Sequence, residues 1–182
     1  MSTDRRARLD LNDVASTLAV CQAVAKTTGV KIRPTKGTHT AHTDMVTKDV
    51  IVEPLNAYWG ESRIKRWEGQ VYHEVGHHAP EVADLMPMMA KYRCTFNSTL
   101  GGVINCIEDV RNEYNKYGYW PGRDDALSYN TGVNVYRGIK EWEGAKASGM
   151  PIEPKSQWVG DVLNFMYQYR QTWQPDVAIP AM

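Results

Sequence analysis

Two histidines four residues apart, His73 and His77, enclose a glutamate, Glu74, in the sequence His-Glu-Val-Gly-His. On an α-helix, residues i and i+4 lie one turn apart on the same face. Two imidazoles at this spacing can bind one zinc ion at about 2.0–2.1 Å per nitrogen. A carboxylate between them would lie close to the ion, where it can take a proton from water. The motif is typical of zinc hydrolases, and it predicts His73 and His77 as metal ligands and Glu74 as the catalytic base.

The sequence around the motif predicts the helix that this chemistry needs. Between residues 61 and 78, four apolar residues recur at spacings of three and four, within an arc of about 80°: Ile64, Trp67, Val71 and Val75. The two motif histidines project to another side. His78 projects to the apolar side, where we expect a packed core histidine rather than a ligand. Pro80 should end the helix just after the motif.

A second predicted helix carries the candidate third ligand, since a catalytic zinc usually has three protein ligands and an open position for water. Asn97-Ser98 offers an N-cap. An apolar stripe follows, and the opposite side is polar: Leu100, Val103, Ile107, Val110 and Tyr114 against Asn105, Glu108, Asp109, Asn112 and Glu113. Gly101 and Gly102 suggest a close approach of another backbone, as two crossing metal-binding helices would require.

Glu108 is the predicted third ligand, because it lies at the border of the apolar stripe and has the longer reach. Asp109 is the alternative ligand. If Glu108 binds the ion, we expect Asp109, Arg111 and Glu113 to surround the ligands with hydrogen bonds and ion pairs. The simpler alternative is a solvated helix face with local ion pairs.

Three motifs in order carry a family resemblance: H-E-V-G-H, then I-E-D-V-R-N-E at Ile107–Glu113, then W-P-G-R-D-D-A-L at Trp120–Leu127. Together they resemble the metallopeptidase-like N-terminal domains found beside von Willebrand A modules in cobaltochelatase-related and phage-encoded proteins. The resemblance implies a gluzincin-like zincin of phage or prophage type. It also implies zinc on His73, His77 and an acidic residue of the second motif, with Glu74 as the base.

Short strand-like segments precede the motif helix at residues 30–33, 39–44 and 49–52, and the chain is helical from residue 61 onward. The predicted fold class is therefore α+β and mostly helical, zincin-like, with a small antiparallel sheet packed on the motif helix. An edge strand beside the metal could pair with an extended peptide. His39 and His42 face opposite sides of a strand, so we expect them to be surface residues rather than a chelating pair.

Length and composition limit the remaining possibilities. The chain has 182 residues, and we expect one domain over 1–182. Its 21 basic and 21 acidic residues balance, which gives no general attraction to nucleic acid or to anionic membrane. No apolar run approaches the roughly 18 residues of a membrane span, and no secretory signal is recognisable. We expect a location in the cytoplasm, or in the virion if a phage encodes the protein.

The three cysteines, Cys21, Cys94 and Cys106, form no C-x-x-C pair, which argues against a disulfide framework and against a structural zinc knuckle. Two functional hypotheses remain. The first is a zinc metallopeptidase acting on a peptide or protein substrate. The second is a structural or assembly protein of a virion, built on a zincin scaffold, with a non-catalytic zinc and phage structural proteins as partners.

Overall fold

The computed structural model describes residues 11–56, 58–79, 85–119 and 124–149. Helices dominate the described part, and three short strands lie between the first two helices. The elements, in chain order, are α1 (Leu11–Thr27), β1 (Lys31–Pro34), β2 (His42–Asp44), β3 (Asp49–Val52), α2 (Glu61–Gly76), α3 (Leu85–Lys91), α4 (Thr99–Tyr119) and α5 (Asp124–Ala147). This composition confirms the predicted α+β class.

The chain divides into two compact units, and each is described by itself. The first unit comprises residues 1–79 and 120–130, and the second comprises residues 80–119 and 131–182. The motif helix α2 belongs to the first unit, whereas α3 and α4 belong to the second. Gly29, two residues after the end of α1, takes the left-handed conformation (φ 72°) that commonly terminates a helix.

The sheet is mixed, with the order β1-β3-β2. β2 pairs with β3 in antiparallel fashion, as a hairpin, but β1 pairs with β3 in parallel. The prediction of a purely antiparallel sheet is therefore wrong for β1. Parallel pairing needs a crossover of a dozen or more residues, and the segment 35–48, which contains β2, supplies it. Local strand patterns do not reveal which strand becomes the central one.

The β2–β3 turn is held by the side chain of Asp44. Its Oδ1 accepts hydrogen bonds from the backbone N–H of Val46 at 2.8 Å and of Thr47 at 3.0 Å. These backbone donors lower the pKa of Asp44, because they stabilise the charged carboxylate. Lys48 completes the turn with a positive φ of 55°. The turn therefore sets the register that places Thr43 opposite Val50.

The core of the first unit lies between the sheet and three helices. Its buried residues come from α1, β3, α2, the start of α5 and one connecting position: Cys21, Ala25, Val30, Val50, Val52, Trp67, Val71, Tyr72, Val75, Ala126 and Leu127. The predicted apolar side of α2 is confirmed, because all four of its residues are buried. The Trp67 indole N–H also donates to the carbonyl of Glu53 at 2.8 Å, which anchors α2 behind β3.

One glycine of α2 permits a close helix crossing. A Cβ added to Gly69 would lie 2.7 Å from Cβ of Asn130 and 2.8 Å from the carbonyl carbon of Ala126, and it would also contact the Ala126 oxygen. Real Cβ atoms do not approach other atoms so closely. The backbone of α5 therefore packs directly against α2, and Gly69 lies one helical turn before His73.

In the second unit, Leu85 and Met89 of α3 pack with Ile104 of α4. Ser98 caps α4 as predicted, since its Oγ accepts the Gly101 N–H at 3.1 Å. Gly101 is required for another reason than the one predicted from the sequence. A Cβ there would meet the carbonyl group of Thr95, with the carbon at 2.6 Å, so the close neighbour is the loop before α4.

Candidate metal centre

His73 and His77 lie together near the end of α2. Their ring centroids are 5.0 Å apart with nearly perpendicular planes, and one nitrogen of each ring lies within 4.8 Å of the other. Two zinc–nitrogen bonds of about 2.0–2.1 Å span at most about 4.2 Å. The upper bound on the separation of the two nitrogens is therefore close to the span of two zinc–nitrogen bonds. The two side chains differ in exposure, because His77 is buried and His73 is half-buried.

The α2 helix ends within the motif. Gly76 is its last residue and His77 is the C-cap, with φ −61° and ψ −14°. The next backbone hydrogen bonds span three residues instead of four, from the N–H of His77 to Glu74 at 3.3 Å and from the N–H of His78 to Val75 at 3.1 Å. The helix thus ends at Gly76, slightly earlier than the predicted end just after the motif, and the second histidine lies in a tighter final turn of 3₁₀ type.

His78 is not the packed core histidine that the helical projection predicts. It is half-buried, and its Nε2 shares a hydrogen bond of 2.5 Å with Oγ1 of Thr43 on β2. The projection fails because the chain leaves α-helical geometry at His77, so 100° per residue no longer applies. Thr43 carries no signal in the sequence that would have identified it as a neighbour of the motif.

Glu74 lies on α2 between the two histidines and is half-buried. It occupies the last full turn of the helix and accepts the backbone N–H of His77 through its carbonyl oxygen. Its side chain therefore belongs to the same turn as the candidate ligands. A general base must lie close to the water that the metal would bind, and this position meets that requirement.

The acidic residues of α4 have different partners. Glu108 is buried and binds Arg111 in a bidentate manner, with Nε–Oε2 at 2.9 Å and Nη2–Oε1 at 3.2 Å. Asp109 is half-buried, and its Oδ2 accepts a hydrogen bond from Nδ2 of Asn105 at 3.2 Å. Arg111 thus forms an ion pair with Glu108. The side chain of Glu113 lies outside the described residues.

The predicted apolar stripe of α4 is buried only in part: Val110 is buried, but two other members of the stripe are exposed. Leu100 and Ile107 are 47% and 41% exposed, whereas Glu108 and Asn112 are 1% and 0% exposed. A hydrophobic stripe is expected to face inward, but here a carboxylate paired with arginine is buried on a neighbouring face. The alternative of a fully solvated acidic face is also contradicted at Glu108.

The cysteines and the histidines His39 and His42 have the unreactive or surface environments that the sequence predicts. Burial, together with the charge of Asp109, raises the pKa of the Cys106 thiol to about 11, so it is protonated at neutral pH. His39 lies in the connection before β2, and His42 lies on β2, and both are exposed. All three cysteines are free thiols.

Comparison of the chain with protein-family models, with curated proteins and with solved structures found no match. The zincin resemblance therefore rests on the three sequence motifs. Among the described helices, none combines the length and the apolar character needed to cross a membrane.

Proposed function

We propose that this protein is a zinc-dependent metallopeptidase of phage or prophage type that hydrolyses peptide bonds in the cytoplasm or the virion. The observation that carries the proposal is the pair His73 and His77 at the end of α2, with ring nitrogens within 4.8 Å and Glu74 on the same turn. Zinc would supply a Lewis acid that polarises the scissile carbonyl and lowers the pKa of a water molecule. Glu74 would take up the proton and later deliver it to the leaving amine.

We propose Asp109 as the third protein ligand, with Glu108 as the alternative, from the sequence motifs and from the contacts that the two carboxylates make within α4. Both carboxylate oxygens of Glu108 are bound to Arg111, so this buried carboxylate would have to give up a bidentate ion pair in order to bind the metal. The Asp109 carboxylate accepts a hydrogen bond from the neutral amide of Asn105, which would orient the carboxylate as it binds an ion. Two imidazoles and one carboxylate are a donor set that zinc accepts.

Elemental analysis of the full-length protein, purified without added metal, tests the metal. We expect about one zinc per chain, and we expect His73→Ala and His77→Ala to lose it. Imidazole and carboxylate also suit other transition metals, so iron, nickel and copper are measured in the same run. His39→Ala is the matched control, since His39 is exposed in a loop, and it should retain the metal. Parent protein without bound metal, after zinc has been offered, would contradict the proposal.

Peptide hydrolysis by Glu74→Gln tests the chemistry. Glutamine keeps the size of the side chain and removes the base, so zinc should remain bound while hydrolysis falls by about 10²–10⁴-fold. Glu61→Gln, on the exposed first turn of the same helix, is the matched control and should hydrolyse like the parent. Loss of zinc in Glu74→Gln would show that Glu74 is a ligand or a structural residue.

A virion assembly protein with a non-catalytic zinc is the second candidate. One observation favours it: the second unit exposes several large apolar side chains, namely Met86, Tyr92, Phe96, Leu100 and Ile107. Exposed apolar groups are common at protein–protein contacts. Under this proposal the phage structural proteins would be the partners, and Glu74→Gln would leave function unchanged.

A further inference from the structure

The position of His77 depends on more than the α2 helix. An imidazole in the middle of a helix is fixed by backbone hydrogen bonds on both sides of it. His77 is instead the C-cap, followed by a turn in which the N–H of Ala79 bonds to Gly76 at 3.0 Å. Helix ends fray, because their last carbonyl groups lack partners within the helix. A contact from outside α2 can therefore help to hold a ligand at this position.

Thr43 provides a contact of this kind. Its hydroxyl shares the 2.5 Å hydrogen bond with His78, the residue next to His77. The same hydroxyl lies 3.4 Å from the carbonyl oxygen of Asp49, and the Thr43 backbone pairs with Val50 of the central strand. Val50 is fully buried in the core of the first unit. A continuous path thus runs from the core, through Thr43 and His78, to the turn that carries His77.

We infer that Thr43 is a positioning residue for the metal centre: its hydrogen bond to His78 fixes the turn after α2 and holds the imidazole of His77 in place for binding. The inference rests on the proposed function, because it requires that His77 binds the ion. The hydroxyl group of Thr43 thus contributes to metal binding in addition to any contribution to stability. Valine, which has nearly the same shape, cannot replace that group.

Zinc affinity of the full-length protein tests the inference, measured by competition with a chromophoric chelator. Residues that orient a metal ligand typically contribute about 10–100-fold to affinity. We expect about 10-fold weaker zinc binding in Thr43→Val and near-parent affinity in Thr43→Ser, which restores the hydroxyl. Thr35→Val is the matched control at the end of β1, where the hydroxyl bonds only locally to the Arg33 carbonyl, and its affinity should not change.

A second readout separates positioning from stability. Cobalt(II) replaces zinc as a coloured probe, and we expect its visible absorption to change in Thr43→Val but not in Thr35→Val. His78→Ala removes the other partner at a half-exposed position, so it tests the link even if Thr43→Val folds poorly. The double variant Thr43→Val/His78→Ala should lose no more affinity than either single variant, because both remove the same hydrogen bond.

The outcomes distinguish this inference from the proposed function. If the parent binds no metal, both are wrong. If the parent binds zinc and both Thr43→Val and His78→Ala bind it equally well, only the positioning role is wrong. Additive losses in the double variant, or failure of Thr43→Ser to restore affinity, would also overturn the positioning role.

Discussion

Replacement of Gly69 by alanine tests the crossing of α2 and α5. In an open helix, the change from glycine to alanine stabilises a protein by about 1 kcal/mol. At Gly69 the new methyl group would lie 2.7 Å from Cβ of Asn130 and 2.8 Å from the carbonyl carbon of Ala126. Since the Ala126 atoms are backbone, they cannot rotate away, and the two helices must separate. Overpacking of this kind costs about 1–3 kcal/mol, and backbone contacts of this length place the cost at the upper end.

After the gain in helix propensity is subtracted, Gly69→Ala should lower the free energy of unfolding by about 2 kcal/mol. For a chain of this size that corresponds to a fall in Tm of about 4–8 °C. Thermal unfolding followed by circular dichroism measures it. Gly132→Ala is the matched control on α5, because nothing lies within 4 Å of its added Cβ. The control should be stabilised by about 0.5–1 kcal/mol. A Gly69→Ala variant as stable as Gly132→Ala would refute the crossing.

Three further predictions concern single side chains. Zinc titration should show that Asp109→Ala loses tight binding while Glu108→Ala weakens it only about 10–100-fold, and the reverse order would make Glu108 the ligand. Asp44→Ala should destabilise the protein at neutral pH, as urea unfolding measures. The folded-state pKa of Asp44 is lowered, so its contribution is present above the ordinary value of 3.8 and is lost as pH falls through the folded pKa. The difference from the parent should therefore shrink at pH 3, and an undiminished difference would contradict the role of the charge. Cys106, with a pKa of about 11, should react with iodoacetamide at pH 8 about 10²-fold more slowly than an ordinary thiol, and labelling at an ordinary rate would show that it is not protonated.

The motif helix was predictable because its local signals agree. Apolar residues at helical spacing are buried, and the chain leaves the helix shortly before Pro80. Tertiary packing therefore did not override the local pattern, and the pair His73 and His77 followed from sequence spacing alone.

The acidic helix was harder to predict, since its buried face contains Glu108 and Asn112. Hydrophobic periodicity treats such residues as solvent-facing, and it cannot show that Arg111 compensates the buried carboxylate. The partner of His78 was likewise unpredictable, because Thr43 lies 35 positions away and reaches it through sheet register. Long-range pairings of this kind leave no periodic signal in the sequence.

The close packing at Gly69 has a consequence for the order in which the chain becomes folded during synthesis. Ala126, which covers this glycine, follows it by 57 positions (126 − 69). At about 5–20 residues per second, a ribosome needs about 3–11 s to make that stretch. During this interval the histidine-bearing helix has been synthesised, but the α5 residues Ala126 and Leu127 that complete its core have not. Because α3 and α4 precede α5 in the chain, the core of the first unit cannot be completed until both of these helices have been synthesised.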